Sequence, residues 1–111
     1  MLSVVEYRRA LHRIPELDDR LPETCAYVRS ALASFELEAF SPIPSSVCAY
    51  LDAGKAETVA FRADMDALPM AEESGEPFAA VNGNCHSCGH DCHTAMLLGA
   101  AQMLWECRDE L

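Results

Sequence analysis

The sequence has little positive charge and no long apolar run. Eight lysines and arginines stand against eighteen aspartates and glutamates, for a formal net charge of -10. A field of that sign repels the phosphates of nucleic acids and anionic lipid head groups, so we expect neither nucleic acid nor a membrane as a partner. No stretch approaches the roughly 20 apolar residues of a transmembrane helix. The apolar run that starts at Leu2 ends at Glu6, too early for a signal peptide.

Internal repeats and low-complexity segments are also missing, which favours ordinary globular structure. The chain is 50% hydrophobic and 23% charged, so it has the composition of a folded domain rather than of a disordered one. Its six cysteines occur without a secretory signal. They are therefore predicted to be reduced thiols or metal ligands rather than disulfides, and we expect a cytoplasmic protein.

Two amino-terminal segments have the spacing of amphipathic helices. Ser3 and Glu6 form a capping-box pattern, so a first helix should begin there and stop at Pro15. Pro22 suits the first turn of a second helix. That helix should bury apolar residues spaced three and four positions apart, namely Leu21, Cys25, Val28, Leu32 and Phe35.

The last segment predicts a third helix, from Cys92 to about Arg108, with Asp91 as its N-cap. It is apolar on nearly every side, and Met96 and Met103 are predicted to lie in the core. A helix without a polar face should be buried on several sides. Because three helices and two or three strands offer few partners for it, the sequence suggests the beginning of a larger protein.

The middle of the chain predicts strands and a long loop. Residues 47–51 alternate between apolar and polar side chains, and residues 59–62 form a second short strand-like run. Residues 67–90 contain two prolines and three glycines with little periodicity. Loops of that length inside a domain are usually functional.

Residues 84–93 gather most of the reactive side chains. They hold three of the six cysteines and three of the four histidines. Both side chains bind borderline-soft metals such as zinc, and His90 follows Cys88 across a single glycine. Asp64 and Asp66 lie in an acidic loop directly after the second predicted strand. A strand end that faces a cluster opening a helix is a common way to build a site in an α/β protein.

Several blocks of the sequence resemble the amidohydrolase branch of the dinuclear metallopeptidases, which includes hippurate hydrolases, N-acyl-amino-acid amidohydrolases and auxin-conjugate hydrolases. The most specific blocks are residues 62–69, Arg-Ala-Asp-Met-Asp-Ala-Leu-Pro, and residues 88–91, Cys-Gly-His-Asp. Residues 11–17, 73–78 and 97–101 agree in order and spacing. The similarity therefore covers nearly the whole chain.

The resemblance implies an α/β fold, the incomplete N-terminal portion of a zinc-peptidase-like catalytic domain with helices packed on a short sheet. Residues 1–111 would be a partial catalytic domain, without its carboxyl-terminal half and without the dimerisation domain. The family forms homo-oligomers and uses two divalent metal ions, manganese or zinc. It cleaves the amide bond between an acyl group and an amino acid, so the implied substrate is an N-acyl amino acid.

The resemblance also implies roles for individual residues. Cys88 and His90 would be metal ligands, with the Cys88 thiolate bridging the two ions. Asp66 corresponds to the acid that orients a ligand, and Asp64 stands where related branches keep a metal-binding histidine. The general base and the remaining ligands would lie beyond residue 111. We therefore expect no meaningful hydrolysis by this chain without the missing remainder or a complementing chain.

Other interpretations of these residues stay open. Cys85 stands where the family usually has methionine, and Cys85-x-x-Cys88 is also the pattern of a small zinc-stabilised binding module, completed by His90, Cys92 or His93. A non-functional remnant is a third possibility. Asp64 and Asp66 also fit solvated loop acids. His86 and His93 are interpreted as positional groups, and His12 as a structural histidine without a role.

Overall fold

The structure, a computed structural model, describes residues 2–111 and contains three α-helices and one small sheet. Helices α1, α2 and α3 span Val4–His12, Pro22–Ser34 and His90–Glu106, and a short 3-10 helix spans Arg108–Glu110. Strands β1 (Ala39–Phe40) and β2 (Cys48–Ala49) pair antiparallel, with Ala39 opposite Ala49 and Phe40 opposite Cys48. The predicted α/β class, with helices packed on a short sheet, is confirmed.

Helix α1 begins with the predicted capping box. The Ser3 hydroxyl accepts from the Glu6 N–H at 3.2 Å, and the Glu6 carboxylate accepts from the Ser3 N–H at 2.7 Å. Two of the amide groups that a helix start leaves unpaired are thereby bonded. The helix ends at His12, three residues before Pro15. Its buried face carries Tyr7, Leu11 and His12.

Helix α2 starts at Pro22 as predicted, but its cap comes from outside the helix. The residue at the N-cap position is Leu21, whose side chain has no acceptor. Instead the Glu16 carboxylate accepts from the N–H groups of Glu23 (3.2 Å) and Thr24 (2.7 Å). A negative charge at this end also complements the helix dipole. The connection between α1 and α2 thus supplies the cap.

Replacing Glu16 with alanine is expected to lower the free energy of unfolding by about 1 kcal/mol, the usual effect of losing a helix cap. Urea unfolding of the variant measures it. Glu38→Ala is the matched control because Glu38 is exposed, and its effect should stay within about 0.5 kcal/mol. Equal unfolding midpoints for the two variants would contradict the capping role.

The hydrophobic core lies where α1, α2 and α3 meet. Four of the five residues predicted on the buried face of α2 or at its ends are buried, and three of these belong to the core cluster, while Cys25 is half-buried. The core cluster consists of Tyr7, Leu11, Val28, Ala31, Leu32, Phe35, Leu37, Ala95 and Leu98. At Gly99 an added Cβ would lie 2.5 Å from Val4 Cγ2, so α1 and α3 approach closely there.

The strand predictions are only partly correct. β2 covers two residues of the predicted run 47–51, and its partner β1 was not predicted. Residues 59–62 are not a strand, and Val59 is 76% exposed. A strand requires a neighbouring strand to bond its backbone groups, and among residues 2–111 none pairs with this segment. Residues 59–62 thus have the alternating pattern of a strand but no neighbouring strand with which to pair.

Helix α3 also differs from its prediction. It starts at His90 rather than Cys92, and its N-cap is Gly89, with Asp91 inside the first turn. Met96 and Met103 are 55% and 68% exposed, so they are not core residues in this structure. The buried residues of the helix are Asp91, Thr94, Ala95, Leu98 and Gly99, which lie on one side only. Helices α1 and α2 pack against that side, while Met96 and Met103 on the other side are exposed.

Residues 67–90 form the predicted long loop. Their one pairing is an isolated bridge between Leu68 and Cys85. The loop is fastened to the connection after α1, because the Ala67 N–H donates to Glu16 O at 2.8 Å and the Asn82 amide donates to Pro15 O at 2.8 Å. None of the helices in residues 2–111 is long and apolar enough to cross a membrane.

Candidate metal centre

The acidic loop at residues 64–66 and the start of α3 meet at one place. Gly89 has a φ of 100°, a left-handed conformation that glycine adopts without strain, and this turn places Cys88 directly before the helix and His90 at its first position. The Thr94 hydroxyl donates to Asp64 O at 3.1 Å, and the Cys88 thiol lies 3.7 Å from Asp66 O. Two distant parts of the sequence are thereby held together.

His90 is oriented by Asp66. The Nδ1 atom of His90 lies 2.9 Å from a carboxylate oxygen of Asp66 and 3.0 Å from the Asp66 carbonyl oxygen. Both oxygens are acceptors when the carboxyl is ionised, so the proton belongs on Nδ1. Nε2 then carries the free lone pair. This is the arrangement in which a histidine binds a metal through Nε2 while a carboxylate fixes its tautomer.

Asp64 is brought to the same loop but pairs with a different residue. Its carboxylate accepts from Nη2 of Arg62 at 2.8 Å and from Nε at 3.1 Å, and both side chains are largely exposed. The hydrogen bonds and positive charge of Arg62 lower the pKa of Asp64, with smaller contributions from His90 and His93. Asp64 is therefore near the histidines without contacting His90.

The donor set at this place fits a borderline-soft divalent metal. Cys88 is exposed and offers a sulfur ligand, and His90 offers Nε2. Within residues 2–111, however, no third histidine, cysteine or acidic residue joins these two in a group of three ligand atoms. A zinc ion usually takes four ligands. The two side chains thus fit one end of a metal site that other groups must complete.

Directly beneath His90, Asp91 anchors the helix start to α1. Its Oδ2 atom accepts from Arg8 Nε at 2.8 Å and from His12 Nδ1 at 2.7 Å, and the side chain is only 1% exposed. Burial by itself would raise the pKa of Asp91, but the His12 hydrogen bond, the Cys92 N–H and the Arg8 charge lower it on balance. Asp91 thus remains an ionised, buried acid.

Comparison with known proteins shows which family this chain resembles. The model of "Peptidase family M20/M25/M40" matches residues 60–111, the part that contains both motif blocks. Residues 60–111 are therefore similar to members of this family. The resemblance to the dinuclear metallopeptidase amidohydrolases is confirmed.

Individual M20 relatives match almost the whole chain. An N-acyl-L-amino acid amidohydrolase from Geobacillus stearothermophilus is 46% identical over 98% of this chain. Among solved structures, a candidate aminohydrolase from methicillin-resistant Staphylococcus aureus superposes with a TM-score of 0.91 at 39% identity, over 98% of this chain. A dinuclear metal-binding M20 peptidase from Bacillus subtilis gives 0.89 at 38% identity, over 97%. The chain spans 30% to 31% of the length of these relatives.

Sequence reasoning missed two residues that lie beside the centre. His12 is buried, and its Nε2 lies 2.9 Å from Oε1 of Glu72 while its Nδ1 contacts Asp91. The pKa of Glu72 is lowered to about 2, by hydrogen bonds from the Ser74 hydroxyl and the Ala80 N–H and by His12. A histidine on the buried side of an amphipathic helix was the available signal for His12. Glu72, inside a loop, had none.

Cys85 and His86 lie next to these residues. Cys85 is 8% exposed, and burial together with the charges of Glu72 and Asp91 raises its pKa. His86 is 4% exposed, and neither of its ring nitrogens has a hydrogen-bond partner among residues 2–111. Burial lowers the pKa of His86. The ligand atom of Cys85 lies within 4.8 Å of those of His12 and Glu72.

Proposed function

We propose that this chain supplies part of the two-metal site of an amidohydrolase acting on N-acyl amino acids. The observation that carries the proposal is the Asp66–His90 contact beside Cys88, because it prepares an imidazole for a metal at the start of α3. The substrate class follows from the Geobacillus relative, named an N-acyl-L-amino acid amidohydrolase. The number of ions follows from the dinuclear Bacillus peptidase. We propose zinc or manganese as the metal.

Each residue then has a defined task. Cys88 would hold the metal through its sulfur, and His90 would hold it through Nε2. Asp66 keeps the proton on Nδ1 of His90, and Asp64 is held in the same loop by Arg62. When bound, the pair of ions would lower the pKa of a shared water and polarise the amide carbonyl of the substrate. Buried Asp91 fixes the position of His90 by fastening the first turn of α3 to α1.

Cys88 and His90 alone would not complete the proposed metal site, which needs further ligands. Residues 1–111 are, on this proposal, a partial catalytic domain, and the remaining ligands and the general base come from the rest of the hydrolase or from a complementing chain. We therefore expect the 111-residue chain alone to be inactive. The complete enzyme is proposed to be a cytoplasmic homo-oligomer.

The test begins with the native polypeptide, captured from its source cell with an antibody against residues 1–40 and weighed by intact mass spectrometry. It is assayed on hippurate and N-acetyl amino acids with added manganese or zinc, beside the 111-residue chain. We expect metal-dependent hydrolysis, lost on chelation, only in a species heavier than 12.2 kDa or in a complex. Turnover by the 111-residue chain alone would contradict the partial-site proposal, and no turnover by any form would contradict the hydrolase.

The same assay examines the role of Asp66. Asp66→Ala is expected to need about 10 to 100 times more metal for half-maximal activity, the usual effect of removing a carboxylate behind a histidine ligand. Asp52→Ala is the matched control, because Asp52 is exposed after β2 and bonds only to the local Gly54 N–H. An unchanged metal requirement in Asp66→Ala would remove Asp66 from the site.

A further inference from the structure

A second group of metal-binding side chains lies buried behind the candidate centre. His12, Glu72 and Cys85 each offer one ligand atom, and these three atoms lie within 4.8 Å of one another. They come from α1, from the long loop and from the segment before α3. The group shares no side chain with the Cys88–His90 pair. We propose that His12, Glu72 and Cys85 bind one zinc ion that acts as a structural clamp.

The spacing of the three atoms suits a tetrahedral ion. Zinc bonds of about 2.0–2.3 Å to nitrogen, oxygen and sulfur place neighbouring ligand atoms roughly 3.3–3.8 Å apart. The ligand atoms of His12 and Glu72 are now 2.9 Å apart and in contact through a proton. A zinc ion between them replaces that proton and separates the atoms by less than about 1 Å. Such a movement is small for a glutamate in a loop.

The environment of His12 supports this assignment. Its Nδ1 is held by the Asp91 carboxylate at 2.7 Å, which leaves Nε2 on the side of Glu72. A carboxylate behind the non-binding nitrogen is the usual companion of a zinc-bound histidine. Arg8 in turn holds Asp91 at 2.8 Å. The chain therefore already contains the supporting groups that such a site requires.

An independent observation comes from His86. This side chain is buried, yet both of its ring nitrogens lack a partner, which is unfavourable for a buried polar group. Its ring centroid lies 6.3 Å from that of His12. Two imidazoles on one tetrahedral zinc have centroids about 5 Å apart, given ordinary bond lengths. A modest shift therefore makes His86 the fourth ligand and gives it the partner it lacks.

The charges also balance. Binding releases one proton from the Cys85 thiol and the proton shared by His12 and Glu72, both to solvent. A thiolate and a carboxylate then neutralise the two charges of the ion, with neutral imidazoles completing the set. A neutral buried site avoids the penalty of an isolated charge. The ion would tie the long loop directly to α1, in addition to the hydrogen bonds that join the loop to the connection after α1.

The test uses the full native polypeptide carrying Cys88→Ala and His90→Ala, which removes the proposed catalytic ligands. Cobalt(II), a spectroscopic substitute for zinc, is titrated in and then displaced by zinc. We expect one equivalent of cobalt with a thiolate-to-cobalt charge-transfer absorption. Adding Cys85→Ala should remove that absorption, whereas Cys92→Ala, the matched cysteine control, should keep it.

Two further measurements keep the proposal independent of folding and of hydrolysis. Glu72→Gln should retain the thiolate absorption but weaken cobalt binding at least tenfold, and circular dichroism checks that each variant is folded. In the otherwise native polypeptide, Cys85→Ala should lower the bound zinc by one equivalent. No charge-transfer absorption in the first variant, or absorption that survives Cys85→Ala, would overturn the site whether or not the protein hydrolyses amides.

Discussion

Cys88→Ala is expected to reduce amide hydrolysis by at least about a thousandfold in the form of the protein that turns over. On the proposed function the Cys88 sulfur would be a metal ligand. Metal stabilisation of the transition state is worth several kcal/mol, and about 4 kcal/mol corresponds to a thousandfold in rate. Cys88 is exposed, so its removal leaves no buried cavity and the fold should be preserved. The measurement is kcat/KM for an N-acetyl amino acid, together with the metal content of the purified variant.

Cys107→Ala is the control for this prediction. Cys107 is a half-buried cysteine at the end of α3, and its thiol contacts only the Leu104 carbonyl. The control should keep normal activity and the full metal content. If Cys88→Ala retained more than about a tenth of the native kcat/KM, the bridging role of Cys88 would be wrong even though the protein remained a hydrolase.

Asp91→Ala is expected to lower the free energy of unfolding by about 3 kcal/mol, because it breaks a buried charge pair and leaves His12 Nδ1 without its acceptor. Arg8, which is about a third exposed, can turn to solvent, and this limits the loss. Urea unfolding of the metal-free protein measures the change without a contribution from bound ions. In the same variant, α1 should be held less firmly to α3, because the Arg8 and His12 contacts with Asp91 are lost.

The control for Asp91 is Asp109→Ala, which removes an exposed acid from the 3-10 helix and should change stability by less than about 0.5 kcal/mol. A double-mutant cycle with Arg8→Ala separates the contribution of the ion pair from that of His12. An Asp91→Ala variant as stable as the Asp109 control would show that the Asp91 contacts do not stabilise the packing of α1 on α3.

The helices of this fold were predictable because their signals are local. Ser3 with Glu6 and the proline at position 22 place the starts of α1 and α2 within a residue of where they are observed. The strands were not predictable to the same degree. Residues 59–62 have a strand-like pattern without a partner, and the pairing of residues 39–40 with 48–49 depends on how a Pro- and Ser-rich turn folds back. Strand formation is decided by distant neighbours, which a local pattern does not contain.

The sequence indicated which residues form the candidate site, but it did not predict which atoms they would contact. The two motif blocks indicated Asp66, Cys88 and His90. In the structure, both Cys88 and His90 lie close to Asp66. Asp91 was expected to cap α3 and instead lies buried under it, because Gly89 takes the cap position and the acid pairs with α1. His12 and Glu72 entered the site only through tertiary contacts.

The contacts that build this region have a consequence for its biosynthesis. Arg8 and His12 are separated from Asp91 by 83 and 79 residues, so α1 leaves the ribosome long before its buried acid exists. At roughly 5–20 residues per second, that interval is about 4–16 s. During it, α1 has no ionic partner in α3, and Cys85 emerges without the packing that later buries it. On the proposed function, metal binding would therefore follow the pairing of α1 with the start of α3.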